Sequence, residues 1–221
     1  MGPSSVVVFD FDGTLVSRDS FIDFSLRYCL RRPLRLLLIG AVLPAAALLR
    51  LRSSTAASSA LLWAMTVGSS TRRFVLALRT YAKGTLPAYA SDAIFAELSR
   101  HLRDGSRVVI ATGTLPTLVR GLLRARELGM LPIVGSRLRR QWGGLVVATH
   151  CVGRAKVAEL RKQLGIVAWS NVYTDSFADR SLLRGARDIT LVSPSERTLL
   201  RTRRLIDSAT GLRVLRPSQG P

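Results

Sequence analysis

Hydrophobic and polar positions along this chain follow two patterns, short apolar runs and longer stretches with helical spacing. Runs rich in β-branched residues predict buried strands over 5–9 and up to residue 112. Two later runs, VAWSNVYT ending at 174 and DITLVS ending at 193, predict two more strands. The segment 132–149 predicts a hairpin that turns at Gly143 and Gly144.

Helical spacing dominates the remaining segments. The stretch SFIDFSLRYCLRR, residues 20–32, places its apolar residues on one helix face, and Pro33 ends it. The spacing predicts further helices near 71–83, 88–103, 115–128 and 153–165, with a basic helix after Pro194. No internal repeat is visible.

The order of these elements predicts the fold class. Strands and helices alternate from residue 103 onward, which indicates an α/β core with a parallel sheet and crossover helices. The region 19–102 reads as helix throughout and follows the first strand. We therefore expect a core made of 1–18 and 103–221, with 19–102 inserted as a helical cap.

The segment 33–52 is the most apolar part of the chain. Leu36 to Leu49 holds no charge, and its 14 residues would form a helix of about 21 Å, short of a hydrocarbon core of roughly 30 Å. Because the insert joins two halves of one core, full membrane spans within 19–102 must be even in number. We expect a helical hairpin at about 33–52, kinked near Pro44, that lies in one membrane leaflet. The alternative is a buried cap helix of a soluble protein.

Composition adds a strong positive charge to this picture. The chain has 33 Lys and Arg residues against 14 Asp and Glu, a formal net charge of +19. A chain that is both basic and apolar favours an anionic lipid surface as its partner. No platform of basic and aromatic residues for stacking bases is evident, so we expect no nucleic acid. The basic tail, 196–216, has no assigned role.

Polar side chains follow three of the predicted strands. Asp10 and Asp12 come directly after the first strand, Thr112 ends the second, and Asp175 and Asp179 follow the third. Ligands of open α/β sheets bind at the carboxyl ends of the strands, so these side chains should meet at one edge. Lys156, at the start of a predicted helix, would bring a positive charge to the same edge.

This ordered set resembles the haloacid dehalogenase superfamily of phosphotransferases. The sequences DFDGT, VVIATGT, GRAKV and YTDSFAD look like its four motifs, in order and across the whole core. The resemblance implies that Asp10 is the nucleophile and that Asp12 is the general acid and then the base. It also implies that Thr112 and Lys156 bind the transferring phosphoryl group.

The same resemblance implies a cofactor and the rest of the site. A Mg²⁺ ion held by Asp10, the Asp12 backbone carbonyl and Asp175, with Asp179 supporting it, would offset the charge of the phosphate. Gly13 and Gly113 would lie against the phosphate itself. An acid at Asp12 fits an alkoxide leaving group, which needs a proton, and so indicates a phosphatase.

The cap sequence indicates a more specific resemblance within this superfamily. The stretches DGTLVSRDSFIDFSLRYCLRRPL, LLWAMTVG and CVGRAKVAELRKQLG are similar to the phosphatidylglycerophosphatase C family. That likeness implies hydrolysis of phosphatidylglycerol phosphate to phosphatidylglycerol, at the cytoplasmic side of a bacterial-type inner membrane, with no obligate protein partner. The filler residues Phe177 and Ala178 depart from the family pattern. The alternatives are a soluble phosphatase for a small phosphomonoester such as phosphoserine, and a basic nucleic-acid-binding or scaffold protein on a degenerate enzyme fold.

Overall fold

The computed structural model describes residues 5–217, and its centre is a six-stranded parallel sheet. The strands in chain order are β1 (Val6–Phe9), β2 (Arg107–Ala111), β3 (Ile133–Val134), β4 (Arg137–Gln141), β5 (Gly144–Thr149), β6 (Asn171–Thr174), β7 (Asp188–Val192) and β8 (Gly211–Leu215). The central sheet has the order β3-β2-β1-β6-β7-β8, and β4 and β5 form a separate antiparallel pair. The predicted α/β fold with a parallel sheet is confirmed.

Nine α-helices in the described part of the chain surround these strands. They are α1 (Ser20–Leu30), α2 (Pro33–Arg52), α3 (Ser54–Thr66), α4 (Thr71–Gly84), α5 (Asp92–Arg103), α6 (Pro116–Ala125), α7 (Arg154–Leu164), α8 (Arg180–Leu183) and α9 (Glu196–Arg203). Short 3₁₀ turns occupy Leu86–Tyr89 and Phe177–Asp179. The first five helices lie between β1 and β2, so the predicted helical insertion after the first strand is confirmed.

The sheet is buried on both faces because successive side chains of a strand point to opposite sides. Val7 and Phe9 of β1 belong to the core on one face, together with residues of α1, α4, α5 and α6. Val8 belongs to a second core on the other face, with Leu160 of α7 and Leu182 of α8. Burial on both faces explains why β1 and β2 read as continuous apolar runs.

The segment 132–149 is more divided than the sequence predicts. Ile133 and Val134 form β3, which pairs with β2 in the central sheet, and only β4 and β5 make the hairpin. The hairpin turns at Trp142 and Gly143, which have φ values of 47° and 75°, and not at Gly143 and Gly144. Two positive φ angles match the tight turn that follows the twist of two strands, and tryptophan is an unusual residue for the first position.

The C-terminal segment adds an element that the sequence did not predict. The strand after Asp188 was expected to be the last, but Gly211–Leu215 forms β8 and pairs with β7 in parallel. Its arginine and partly exposed residues hide a strand pattern, as is common at a sheet edge. Part of the basic tail therefore has a structural role, as the edge of the sheet.

The apolar segment 33–52 is one continuous helix, α2, that runs through Pro44 without ending. The hairpin predicted within 33–52 is therefore wrong in its position, because the turn lies at Ser53 and the second arm is α3. Proline at an interior position removes one backbone hydrogen bond, but the packing of α2 on α3 keeps the helix together. Ser53 caps α3 by accepting a hydrogen bond from the Ala56 backbone N–H at 3.3 Å.

The last helix of the insert, α5, packs on the sheet. The Phe9 ring stacks on the Tyr173 ring with centroids 4.2 Å apart, and the Tyr173 hydroxyl lies 2.8 Å from His101 Nε2. The same hydroxyl donates to Glu97 Oε2 at 3.0 Å. A tyrosine has one hydroxyl proton, so His101 must donate its Nε2 proton to Tyr173. The network ties α5 to β1 and β6, the two strands that precede the predicted carboxylates.

Candidate active site

The sheet register brings the predicted site residues together at one edge. Phe9 of β1 pairs with Ile110 of β2 and with Tyr173 of β6. The backbone N–H of Asp10 then donates to the Tyr173 carbonyl at 2.8 Å. Because the three strands are parallel and in this register, the residues that follow them meet at their carboxyl ends.

The nucleophile position predicted for Asp10 is held by two contacts to one of its oxygens. Oδ1 accepts from the Phe11 backbone N–H at 2.8 Å and lies 2.9 Å from Lys156 Nζ. Within residues 5–217, Oδ2 takes part in no hydrogen bond and is the oxygen free to react. Burial raises the pKa of Asp10 well above its usual range, although Lys156 acts in the opposite direction.

Lys156 is one of the most buried charged groups of the protein, at 2% exposure. It enters the site from the first turns of α7, and its Nζ contacts both Asp10 and Asp179. Burial acts to lower the pKa of Lys156, but the charges of Asp10 and Asp179 outweigh it and raise the pKa. The ammonium group therefore stays protonated beside the Asp10 carboxylate.

Asp179, which the resemblance implies as support for the metal, is held by two contacts to one of its oxygens. Its Oδ2 accepts from Lys156 Nζ at 2.7 Å and from the Thr174 hydroxyl at 2.9 Å. The side chain is almost completely buried, and these contacts fix the position of the lysine. The part of Asp179 in holding a metal stays a prediction.

Asp12 lies where the core meets the cap. Its Oδ1 accepts from the Ser20 backbone N–H, the first residue of α1, at 2.8 Å. Burial raises the pKa of Asp12 to about 6, and the hydrogen bonds from Ser20 limit the rise. A carboxyl group with a pKa near 6 can hold a proton and release it, as a general acid requires.

Thr112 and Gly113 lie in the turn between β2 and α6. The Thr112 hydroxyl accepts from the Thr114 backbone N–H at 3.1 Å and is fully buried. The Ser136 hydroxyl donates to the Gly113 carbonyl at 2.6 Å, and a Cβ at Gly113 would approach Val152 to 3.1 Å. These contacts fix the turn and leave the Thr112 hydroxyl proton for a phosphoryl oxygen.

Gly13 lets the carboxylate of Asp175 approach the first motif. Its φ is +73°, and a Cβ there would lie 2.3 Å from Asp175 Oδ2. Any side chain would displace that carboxylate, so the glycine is needed for both its conformation and its lack of a Cβ. Burial raises the pKa of Asp175, and the nearby charge of Asp179 adds to the effect.

The donor atoms at this edge fit a magnesium ion. The carboxylates of Asp10 and Asp175 and the Asp12 carbonyl are hard oxygen donors, and the cradle at Gly13 brings Asp175 close. In the part of the chain that the structure describes, no three His, Cys, Asp or Glu side chains form a ready metal-binding group. A magnesium site needs only one or two carboxylates, because substrate oxygens and water complete it. The raised pKa values of Asp10 and Asp175 indicate that additional positive charge would be stabilising here.

The sequence did not predict three further residues of the site, Ser20, Thr114 and Thr174. Ser20 holds Asp12 through its backbone N–H, and its hydroxyl donates to the Thr114 hydroxyl at 3.3 Å. Thr174 holds Asp179. The only sequence signal for them is their position, directly beside a motif or at the start of a helix, because serine and threonine are common at such positions without any role in a site.

Comparison with solved structures gives matches over the whole chain. A protein of unknown function from Bordetella pertussis Tohama I has 18% identity and a TM-score of 0.69, over 96% of this chain and 99% of that one. A phosphoserine phosphohydrolase-like protein from Francisella tularensis subsp. tularensis SCHU S4 has 14% identity and a TM-score of 0.61, over 96% and 95%. Phosphoserine phosphatase from T. onnurineus has 17% identity and a TM-score of 0.53, over 98% and 93%. At these identities the likeness shows the fold.

Comparison with family profiles is made on sequence, so it can show family membership as well as the fold. The profile described as haloacid dehalogenase-like hydrolase matches residues 7–184, which is most of the chain. The matched region contains the strand ends and the buried lysine described above. The chain belongs to the haloacid dehalogenase-like hydrolase family.

Proposed function

We propose that this protein is a phosphatase that removes the terminal phosphate of phosphatidylglycerol phosphate at a membrane surface. Two parts of the molecule support the proposal. The strand ends carry Asp10 in contact with the buried cation Lys156, and Asp12, whose pKa is raised to about 6 by burial. The cap carries an exposed apolar helix, and this is the observation on which the choice of a lipid substrate depends.

The chemistry follows from the free atoms of the site. Asp10 Oδ2 attacks phosphorus, the bond to the leaving oxygen breaks, and Asp12 gives that oxygen its proton. Asp12, now a carboxylate, then takes a proton from water, whose oxygen attacks the aspartyl phosphate. The phosphorus bond to Asp10 breaks, which releases phosphate and restores the starting carboxylate.

Other residues stabilise charge during these steps. Lys156 stays charged beside Asp10 and offsets the negative charge on the phosphoryl oxygens. The Thr112 hydroxyl donates to one of those oxygens. Asp10, Asp175 and the Asp12 carbonyl would hold Mg²⁺, whose positive charge would let a carboxylate approach a phosphate dianion.

Helix α2 supports a membrane-bound substrate. By length and composition alone, this 20-residue helix is the one in the described part that could cross a membrane, and only 6% of its apolar window is buried. The same test is passed by core helices, but a core helix would be mostly buried. Leu34, Leu37, Leu48 and Leu51 are each more than two-thirds exposed to solvent. Exposed apolar surface on this scale marks a site of interaction.

The packing of α3 favours an orientation of α2 along the membrane surface. Ser59 and Thr66 of α3 accept hydrogen bonds from the backbone N–H groups of Val147 and Leu145 in β5, at 3.2 and 2.8 Å. If α2 crossed a bilayer, α3, β5 and the exposed arginines of β4 would enter it too. Each charge at the bilayer centre costs about 2.5–3.5 kcal/mol or more. A helix that lies flat, with one face in the lipid, avoids that cost.

The second candidate function is hydrolysis of a small soluble phosphomonoester such as phosphoserine. The similarity of the fold to phosphoserine phosphatases supports it, over nearly the full length of the chain. In this case α2 would be covered by something other than lipid. The catalytic chemistry would be the same, so the candidates differ only in substrate.

The deciding experiment measures phosphate release from three substrates in parallel. Phosphatidylglycerol phosphate in vesicles, phosphatidic acid in vesicles and free phosphoserine are compared, each with Mg²⁺ and with a chelator. The proposal predicts turnover of the first substrate, at least about tenfold above the other two in kcat/KM, and none with chelator. The Asp10→Asn variant serves as the blank. Preferred turnover of phosphoserine would replace the lipid substrate with the second candidate.

A further inference from the structure

A groove between α1 and α4 lies outside the catalytic site and has its own chemistry. It has a volume of about 660 Å³ and contains no residue of the catalytic strand ends. Four arginines line it: Arg27, Arg31, Arg32 and Arg73. Its floor is aromatic and apolar, with Phe24, Tyr28 and Tyr81 buried and Leu76 at the rim. We call this feature the arginine groove.

The charge of the arginine groove is largely uncompensated. Asp23 is the carboxylate that faces it, and that side chain is committed to Arg27 at 2.8 Å and to the Tyr81 hydroxyl at 2.8 Å. Between residues 5 and 217, Arg31 and Arg73 form no salt bridge. Two exposed guanidinium groups above an apolar floor are complementary to an anionic group attached to a hydrocarbon chain.

Arg32 is already oriented within the groove. Its guanidinium lies over the Tyr28 ring, 4.0 Å from the centroid, and Nη1 donates to the Tyr28 carbonyl at 3.1 Å. This contact holds one charge in place without an anion. Arg35, which follows Arg32 by three residues, has different contacts. It donates to the Met65 and Val67 carbonyls and to the Ser69 hydroxyl, and so fastens α2 to the end of α3.

The arginine groove is continuous with the exposed apolar helix. Arg32 also lines a smaller cavity with Pro33, Leu34 and Leu38, at the first turn of α2. The groove therefore begins where the exposed leucines of α2 begin. It extends along α1 from Phe24, and Arg31 lies about 16 Å along the helix axis from the Ser20 contact with Asp12.

We propose that the arginine groove binds the headgroup phosphate of an anionic phospholipid in the bilayer on which α2 rests. The choice of lipid as the occupant rests on the proposed function. The leucines of α2 give an attraction that does not depend on lipid charge, and the groove adds one that does. With one lipid headgroup held in the groove and the leucines of α2 in the bilayer, the protein is fixed on the membrane while the catalytic edge acts on another lipid.

Vesicle binding by the purified full chain tests this inference. The probes are vesicles of phosphatidylcholine alone and vesicles with about a third phosphatidylglycerol. The variant Arg31→Gln with Arg73→Gln should lose roughly 30-fold in partition into anionic vesicles, because each arginine near an anionic surface contributes a factor of about five. Its binding to neutral vesicles should not change, because the leucines of α2 are intact.

A matched variant removes the same charge elsewhere. Arg197→Gln with Arg203→Gln, on exposed positions of α9, should change both partition coefficients by less than about threefold. If both double variants lose equal affinity, net charge rather than the groove attracts the protein, and the inference fails. It also fails if the groove variant binds anionic vesicles as the wild type does.

Activity separates this inference from the proposed function. The groove variant should hydrolyse p-nitrophenyl phosphate at the wild-type rate, because no catalytic residue lines the groove. If the wild type does not act on phosphatidylglycerol phosphate but the groove variant still loses anionic binding, the substrate is wrong and the groove stands. If the lipid is hydrolysed and the groove variant binds normally, the function stands and the groove is wrong.

Discussion

The catalytic edge is the candidate site at the carboxyl ends of the strands, and it buries charged groups. Helix α2 does the opposite, because it exposes apolar side chains. At the edge, Asp10, Lys156 and Asp179 carry charges that are almost completely buried. On α2, Leu34 and Leu51 are apolar side chains that are at least 80% exposed. Charged groups are seldom buried unless paired, and large exposed apolar patches are rare on soluble monomers.

The two regions differ in whether other groups of the protein stabilise their buried charges or cover their exposed apolar side chains. The buried charges have partners within 3 Å, and the remaining excess of carboxylate fits a cation and a phosphate. The exposed leucines of α2 have no such partners in the described part of the protein, because only one side of the helix packs on α3. In the function proposed above, an ion and the substrate would complete the first region, and an apolar surface would cover the second.

Removing the nucleophile is the most severe test of the catalytic edge. Asp10→Asn keeps the side-chain volume and an oxygen for the Phe11 N–H, but it removes the attacking carboxylate. We expect kcat to fall by at least about 10⁴-fold, with an unchanged far-ultraviolet circular dichroism spectrum. Steady-state phosphate release measures it. Activity within tenfold of the wild type would show that Asp10 is not the nucleophile.

Removing the buried cation tests whether the charges of the edge stabilise one another. Lys156→Met leaves Asp10 and Asp179 buried together, and losing one partner of a buried pair costs about 3–5 kcal/mol of unfolding free energy. Lys162→Met, on the exposed side of the same helix, is the matched control and should cost less than about 0.5 kcal/mol. Urea denaturation of both variants gives the two values.

The Lys156→Met variant should also respond to pH in a defined direction. The folded-state pKa of Asp10 is raised by burial even with the lysine present, and losing the lysine raises it further. A raised carboxyl pKa contributes stability at low pH that is lost as pH rises through the folded-state value. The variant should therefore recover stability, relative to the wild type, when the pH is lowered from about 8 to about 5. A constant difference between the two proteins would contradict this account.

The catalytic edge could be predicted from the sequence because its information is local. DFDGT directly follows a strand and contains two carboxylates and the glycine that Asp175 requires, within five consecutive positions. The contacts of Ser20 and Asp179 could not be predicted, because each depends on how the folded chain places two motifs side by side. Lys156 donates a hydrogen bond to Asp179 from a position 23 residues earlier, and neither motif indicates this contact.

The cap was predicted less well, for the same physical reason. Composition identified 33–52 as apolar. Whether a helix ends within this segment depends on tertiary packing, and the presence of Pro44 alone does not decide it. The hydrogen bond between Thr66 and Leu145 joins positions 79 apart and attaches α3 to the hairpin. No sequence pattern indicates it, and it decides the orientation of α2.

Substituting the exposed leucines of α2 tests the other side of the comparison. Leu37→Ser, Leu48→Ser and Leu51→Ser together should reduce partition into neutral vesicles by roughly 100-fold, because each leucine loses about 1 kcal/mol of apolar burial in lipid. The control replaces Val167 and Leu200, exposed apolar residues of the core, and should have little effect. Co-sedimentation with vesicles measures both.

Activity and stability complete the α2 test. Hydrolysis of p-nitrophenyl phosphate should be unchanged in the leucine variant, whereas hydrolysis of lipid in vesicles should fall with binding. Because these leucines are exposed, their loss should not lower the unfolding free energy by more than about 0.5 kcal/mol each. If the protein unfolds instead, α2 stabilises the fold; if vesicle binding persists, α2 is not the surface that meets the lipid.

The smallest expected effect concerns a buried polar group that has its partner inside the protein. His101 donates to the Tyr173 hydroxyl at 2.8 Å, and burial lowers the pKa of His101 below its usual value. The unfolded chain therefore takes up a proton before the folded chain does, and stability is lost as the pH falls below about 6.5.

His101→Asn should remove this dependence and lower the unfolding free energy at neutral pH by about 1 kcal/mol, the value of one hydrogen bond. Burial also lowers the pKa of His150, which lies near Thr55 outside this network. His150→Asn is therefore the comparison, because it should also reduce the pH dependence but leave the hydrogen bond between α5 and Tyr173 intact. Urea unfolding from about pH 7.5 to pH 5.5 distinguishes them. If the His101 variant loses stability with falling pH as steeply as the wild type, the network around Tyr173 is not the source, and α5 is held to the sheet by its apolar contacts alone.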